Sequence, residues 1–206
     1  VGAPLAEILS QAHKLEADLV VAGVSGAGNS KAGAGSVASK LARRASPRVL
    51  LASPVHPPKA VRKITACIDF SDNSREVAAA AQQLALREGA HVDFLHVWNE
   101  PWLAMSYDAP VAGATTKFRD GYIEDLRGSL KEFVSDAVEG IQCAEVLYNS
   151  ANHGRGIASY AQESDSDLIM VGGKGRSNLH YMPLGSIAER MLGTLPRLLA
   201  ALAQMP

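Results

Sequence analysis

The sequence predicts an α/β fold: an open parallel five-stranded sheet with helices on both faces, preceded by a partial copy of the same unit. Two observations carry this. Short apolar runs alternate with longer segments whose apolar residues recur at helical spacing, and such alternation builds βαβ units with parallel strands covered on both sides. The chain also resembles itself. EADLVVAGVSG at residues 16–26 and DSDLIMVGGKG at residues 165–175 both set an Asp-Leu pair before a short apolar run ending in Gly-x-x-Gly.

The repeated block is longer than that run. Ile8 to Asp18 aligns without gaps on Ile157 to Asp167, and Gly35 opens GSVASKLARRASPRVLLASP as Gly185 opens GSIAERMLGTLPRLLAALAQ. Residues 1–54 thus carry helix, strand, loop, helix and strand, the last third of the unit, with its other strands expected upstream of Val1. Two strands and two helices are marginal alone, so this segment is expected to fold only against the complete unit or another chain. The prolines of SPVHPPKA, residues 53–60, cannot continue a helix or a central strand. They place a linker at 55–60 and the complete unit at 61–206.

Within that unit VRKITACIDF from Val61 is a buried-strand pattern. SDNSREVAAAAQQLALREGA from Ser71 is a helix that Ser71 or Asp72 can cap and Gly89 can end. HVDFLHVW from His91 is a second strand. Lys117 to Glu139 has helix spacing at Phe118, Ile123, Leu126, Leu130, Phe133, Val134 and Val138, and CAEVLYN from Cys143 is a third strand. A helix from Gly156, the strand DLIMVG, a helix from Gly185 and a terminal apolar segment complete the unit. Between Trp98 and Gly121 the chain reads as a long irregular stretch. Its Trp102, Met105 and Tyr107 either cover a ligand or partner, or pack locally on the sheet's edge.

The informative motif is VGGKGRSNLHYMPLGSI, residues 171–187: Gly172, two residues, Gly175, nine residues, then Gly185-Ser186. Ligands of open α/β sheets bind beyond the carboxyl ends of the strands. Glycines there permit close backbone approach, and a helix starting near Ser186 aims N–H groups and its positive dipole end at an anion. Lys174 and Arg176 add charge where a polyphosphate can meet them. The string is neither a Walker loop nor the dinucleotide fingerprint.

Together with CIDFSDNS from Cys67 and FLHVW from Phe94, the string resembles the universal stress protein family over the whole of residues 61–206. The resemblance implies the adenine nucleotide α-hydrolase-like, Rossmann-like variant of the fold and an ATP ligand, with ADP or AMP as alternatives and Mg²⁺ as a companion. It implies that Asp69 binds the ribose hydroxyls and that Val97 contacts adenine through its backbone. Cys67 and Ile68 would line the base pocket, and Gly172 would lie against the ribose. Gly175, Gly185, Ser186 and Ile187 would hold phosphates. Plainer roles stay open beside these: a capping carboxylate for Asp69, ordinary core for Cys67, Val97 and Ile187. In the first copy only eight residues separate Gly26 from Gly35-Ser36, and the strand with its Asp is absent, so no second nucleotide site is expected. Related proteins pair through their last strands, which implies a homodimer, or a pseudo-dimer within one chain through PRVLLA and LPRLLAAL.

The resemblance implies a stress-response or signalling module in which nucleotide is a structural or regulatory ligand, with at most slow hydrolysis. The rival readings are an ATP-using enzyme of the wider group and a nucleotide-free structural member. No Ser/His/Asp constellation supports catalysis. His153 is either a phosphate contact or a histidine at a helix start, His96 a satisfied core histidine, and His180 and Tyr181 either cover the ligand or face solvent. No histidine pair has metal-ligand spacing. Lys plus Arg is 20 and Asp plus Glu is 21, which gives no basic excess for nucleic acid. No apolar stretch reaches membrane-spanning length, and two cysteines in strand-like runs suit a reducing cytoplasm.

Overall fold

The computed structural model describes residues 3–23, 36–45, 47–52, 60–100, 112–172 and 198–202. Helix α1 (Pro4–Lys14) leads into β1 (Leu19–Gly23), α2 (Ser36–Arg44) and β2 (Arg48–Ala52). The second part contributes β3 (Lys63–Cys67), α3 (Asp72–Glu88), β4 (His91–Trp98), α4 (Ala112–Phe133), β5 (Gln142–Asn149), α5 (His153–Glu163), β6 (Leu168–Gly172) and β7 (Leu198–Leu202). The fold class is α/β, as expected.

The described strands form one sheet in the order β1-β2-β7-β6-β3-β4-β5. From β7 to β5 every neighbour runs parallel. The sheet is larger than the expected one because β1 and β2 extend it. They are parallel to each other, and β2 meets β7 antiparallel, with Val49 opposite Ala201, Leu50 opposite Ala200 and Leu51 opposite Leu199. The two runs expected to meet, PRVLLA and LPRLLAAL, therefore pair within one chain. Such pairing covers a sheet edge that would otherwise be exposed.

Helices cover both faces. On one face α3 and α4 close over Ile64, Ala66, Val92, Phe94, Leu168 and Met170, with Val77, Ala81, Leu130 and Val134 in the same core. On the other, Ala38 and Ala42 of α2 and Val49 and Leu51 of β2 share a core with Leu95, Val97, Ile157, Ile169 and Val171. Residues from both sides of the linker thus bury one another. The first part also repeats the geometry of the second. Pro4–Lys14 and Leu19–Gly23 match His153–Glu163 and Leu168–Gly172 at one constant offset. Glu16 takes φ 48° where Asp165, at the same offset, takes 55°.

Helix ends follow the capping residues. Ser71 caps α3, its hydroxyl accepting from Ser74 N at 3.3 Å. Gly89 ends it in the left-handed region at φ 66°, where glycine is favoured. Two boundaries differ from expectation. Helix α5 begins at His153 rather than Gly156, because the Asn152 side chain accepts from Arg155 N at 3.1 Å and caps the helix. Helix α4 begins at Ala112, inside the stretch read as irregular, and yields after Phe133 to a 3₁₀ turn, Ser135–Ala137. Its first turns, Ala-Gly-Ala-Thr-Thr, have no apolar spacing to announce them. The helix is anchored downstream, where Leu130 is fully buried.

Candidate functional site

Strands β6, β3 and β4 are neighbours, and their carboxyl ends form one rim. Gly172 ends β6, Cys67 ends β3 with Asp69 two residues on, and Val97 precedes the last residue of β4. The topology therefore brings Asp69, Val97 and Gly172 to the place where open parallel sheets bind ligands.

The turn after β3 is tightly determined. One carboxylate oxygen of Asp69, Oδ1, accepts from Ser71 N at 3.1 Å and from Ser71 Oγ at 2.5 Å. Between them Phe70 takes φ 62°, a left-handed conformation that costs a non-glycine residue about 1–3 kcal/mol. Packing holds it there. The Phe70 ring lies 4.6 Å from the His96 ring and meets Phe133 edge-on at 5.5 Å, and the Arg75 guanidinium stacks on Phe133 at 4.2 Å. His96 also bonds the Ile68 carbonyl through Nδ1 at 2.8 Å. It is a satisfied, half-buried histidine that ties the turn to β4.

Val97 owes its position to register. Pairing of β3 with β4 runs to Cys67 opposite Leu95, and Ile68 N donates to Leu95 O at 2.8 Å. Alternate residues of a strand direct their backbone groups to the same side. Val97, two on from Leu95, thus turns its N–H and C=O toward the side that β3 vacates at Asp69, while its side chain is buried in the core under α5. Cys67 packs against the same core. Burial pushes its thiol up, and the Asp69 carboxylate adds to the effect, which favours the neutral thiol. Ile68 belongs to the opposite face, 3% exposed in the core under α3. At this rim it offers backbone rather than side chain.

His153 is the exposed first residue of α5. Lys174, Gly175, Arg176, His180, Tyr181, Gly185, Ser186 and Ile187 lie outside the described residues, as do Trp102, Met105 and Tyr107. The described rim thus brings together a carboxylate at Asp69, the Val97 backbone and a glycine at the end of β6. Among the described residues no cluster of His, Cys, Asp and Glu could hold a metal ion, and no helix is long and apolar enough to cross a membrane.

Sequence reasoning missed three features. Phe70 and His96 form the clamp on the Asp69 turn, and only the adjacency of an aromatic to the Asp hinted at it. Asp93, 2% exposed, bonds His91 at 2.9 Å, Lys63 at 3.1 Å and the Tyr160 hydroxyl at 2.8 Å. This network stands at the opposite end of the strands. Burial, then the bond to Asp93, pushes the Tyr160 hydroxyl's pKa up. The third is Gly156. A Cβ there would come within 2.7 Å of Val97 Cγ1 and 2.8 Å of Ser150 Cβ, so glycine lets α5 lie against the rim strand. Gly156→Ala should lower stability by about 1–2 kcal/mol, overpacking outweighing the helix gain. The urea midpoint reads this directly, and an unchanged or raised midpoint would show that α5 can shift freely.

Comparison with known proteins places these features. The family model described as the universal stress protein family matches residues 60–197. The curated universal stress protein YxiE of Bacillus subtilis (strain 168) is 30% identical over 144 residues, which cover 66% of this chain and 97% of that protein. A universal stress protein structure from Archaeoglobus fulgidus DSM 4304 superposes with a TM-score of 0.63 at 17% identity. It covers 98% of this chain, which in turn spans 66% of that one. Another universal stress protein, solved in complex with cAMP, matches with a TM-score of 0.50 at 19% identity, over 70% of this chain and 98% of its own. With a family match through most of its length and a curated relative covered nearly end to end, the chain belongs to the universal stress protein family.

Proposed function

We propose that this chain binds an adenine nucleotide, ATP in the first instance, at the carboxyl rim of β6, β3 and β4, as a structural or regulatory ligand of a stress-response module. The observation that carries the proposal is the convergence of Asp69, Val97 and Gly172 on that rim. Strand β6 runs directly into the Gly-x-x-Gly and Gly-Ser string. Asp69 would take the ribose hydroxyls, the Val97 backbone the adenine edge, and Gly175, Gly185, Ser186 and Ile187 the phosphates, with Lys174, Arg176 and Mg²⁺ balancing charge. The relative solved with cAMP supports an adenosine-shaped site and makes the phosphate state part of the test. Among the described residues no general base stands out beside Asp69, and at most slow hydrolysis is expected in this reading. Both cysteines are free, which suits a reducing cytoplasm. Residues 1–54 act in this reading as a structural partner, a partial first repeat docked through β2 and β7, rather than a second site.

Mass spectrometry of small molecules released by denaturing the purified protein is the direct experiment. About one adenine nucleotide per chain is expected. An empty release, with no heat of ATP binding by calorimetry, would overturn the proposal. Asp69→Ala should weaken ATP by about 1–3 kcal/mol, the scale of a charged hydrogen bond. The same carboxylate holds Ser71, so the urea midpoint must be read without ligand. Unchanged affinity with lowered stability would assign Asp69 to the turn alone.

A further inference from the structure

Helix α4 meets the carboxyl rim at two places. Near its start Arg119 Nε lies 2.9 Å from Glu100 Oε1, just past β4, and the Tyr122 ring packs 6.0 Å from that of Trp98, the last residue of the strand. At its end Phe133 meets the Phe70 ring edge-on at 5.5 Å. That end is itself fastened. Arg75 of α3 stacks on the Phe133 ring at 4.2 Å and donates through Nη1 to the Phe133 carbonyl at 3.5 Å, where a cation also suits the helix dipole.

Phe70 stands between that helix and Asp69. The turn is pinned on either side of this pair: Ile68 N donates to Leu95 O and the Ile68 carbonyl bonds His96, while Ser71 caps α3. A bulky residue keeps a φ of 62° only where its surroundings over-determine it. The bonds from Ser71 to Asp69 Oδ1 contribute, and the ring contacts with His96 and Phe133 add to them. Without Phe133, relaxation of Phe70 to negative φ would turn the peptide it shares with Asp69 and re-aim the carboxylate. A glycine would hold the same φ without strain. A phenylalanine makes it conditional on what packs against the ring.

We propose that Phe133 is a positioning residue for the nucleotide's ribose. Its contact with Phe70 keeps the turn left-handed, and the turn aims Asp69 at the paired hydroxyls, a step that rests on the ribose role proposed for Asp69 above. Selection of a ribose over a sugar without those hydroxyls thus depends on the end of α4. The same helix is held near its other end through Glu100, which also accepts from Asn149 Nδ2, at the end of β5, at 3.1 Å. Ribose binding and the seating of α4 are then coupled in both directions: a well-seated helix favours the ribose, and a bound ribose favours the seated helix.

Calorimetry of the full chain with ATP and with 2′,3′-dideoxy-ATP tests this. The unsubstituted chain should prefer ATP by about tenfold or more, the scale of charged hydrogen bonds to the missing hydroxyls. Phe133→Ala should bring that ratio close to parity by weakening ATP alone, and Phe133→Tyr, which keeps the ring, should preserve it. In a Phe70→Gly chain the ratio should survive, and adding Phe133→Ala should no longer lower it. If the alanine variant unfolds, Phe133→Leu gives the same comparison. A ratio unchanged by Phe133→Ala would overturn the proposal. So would equal weakening of both nucleotides, which marks a merely structural role, or an equal drop of the ratio in the Phe70→Gly chain. An unsubstituted chain that binds both nucleotides equally well would remove Asp69 from the ribose, and the role of Phe133 with it, while leaving adenine-nucleotide binding in place.

Discussion

Gly185→Val is expected to abolish nucleotide binding in a chain that remains folded. Gly185 opens the segment GSIAER, with nine residues between it and Gly175, and in the proposed site a phosphate would need its backbone at van der Waals distance. A β-branched side chain would occupy the anion's volume and would resist any left-handed backbone that glycine alone adopts without cost. The fold should not depend on it. Ile64, Val77, Val92, Phe94 and Leu130 are wholly buried under α3 and α4 and hold the sheet independently of the loop. Calorimetry with ATP reads the binding, and urea unfolding of the same sample reads the fold. Undiminished ATP affinity would remove the phosphates from this string.

Leu51→Ala should cost about 2–5 kcal/mol, the range for truncating a buried leucine. Leu51 is fully buried. It stands opposite Leu199 where β2 meets β7, and it shares a core with Leu95, Ile157 and Ile169. The shape of the change matters as much as its size. One core spanning both parts of the chain should unfold in one transition, so the whole curve should move to lower urea. A separate early transition would show that residues 1–54 melt independently. Leu19→Ala, at an exposed position of the neighbouring strand, serves as the control and should change little.

Much of this was legible in the sequence because its signals are local. Val-, Ile- and Leu-rich runs of strand length gave β3, β4 and β6. Ser71 and Gly89 bracketed α3, since capping and left-handed turns are set by a few adjacent residues. Asp69, Val97 and Gly172 share one rim because a parallel sheet brings its carboxyl ends together whatever its loops do, whereas their roles were implied by the resemblance to the family. What escaped depended on distant partners. Nothing near Ala112 marks the start of α4, whose anchor is Leu130. The demand for a glycine at 156 comes from Val97 and Ser150, and the left-handed Phe70 is held by Phe133 and His96. The Asp93 network joins β3, β4 and α5, which no single window of sequence contains.

The antiparallel step between β2 and β7 has a consequence for how the molecule meets the rest of the cell. A sheet whose strands all point one way exposes its loops for binding along a single side. Here β1 and β2 point opposite to the other five strands, so the chain leaving β1 after Gly23 emerges at the far side from Gly172. The two groups of strands therefore have separate addresses.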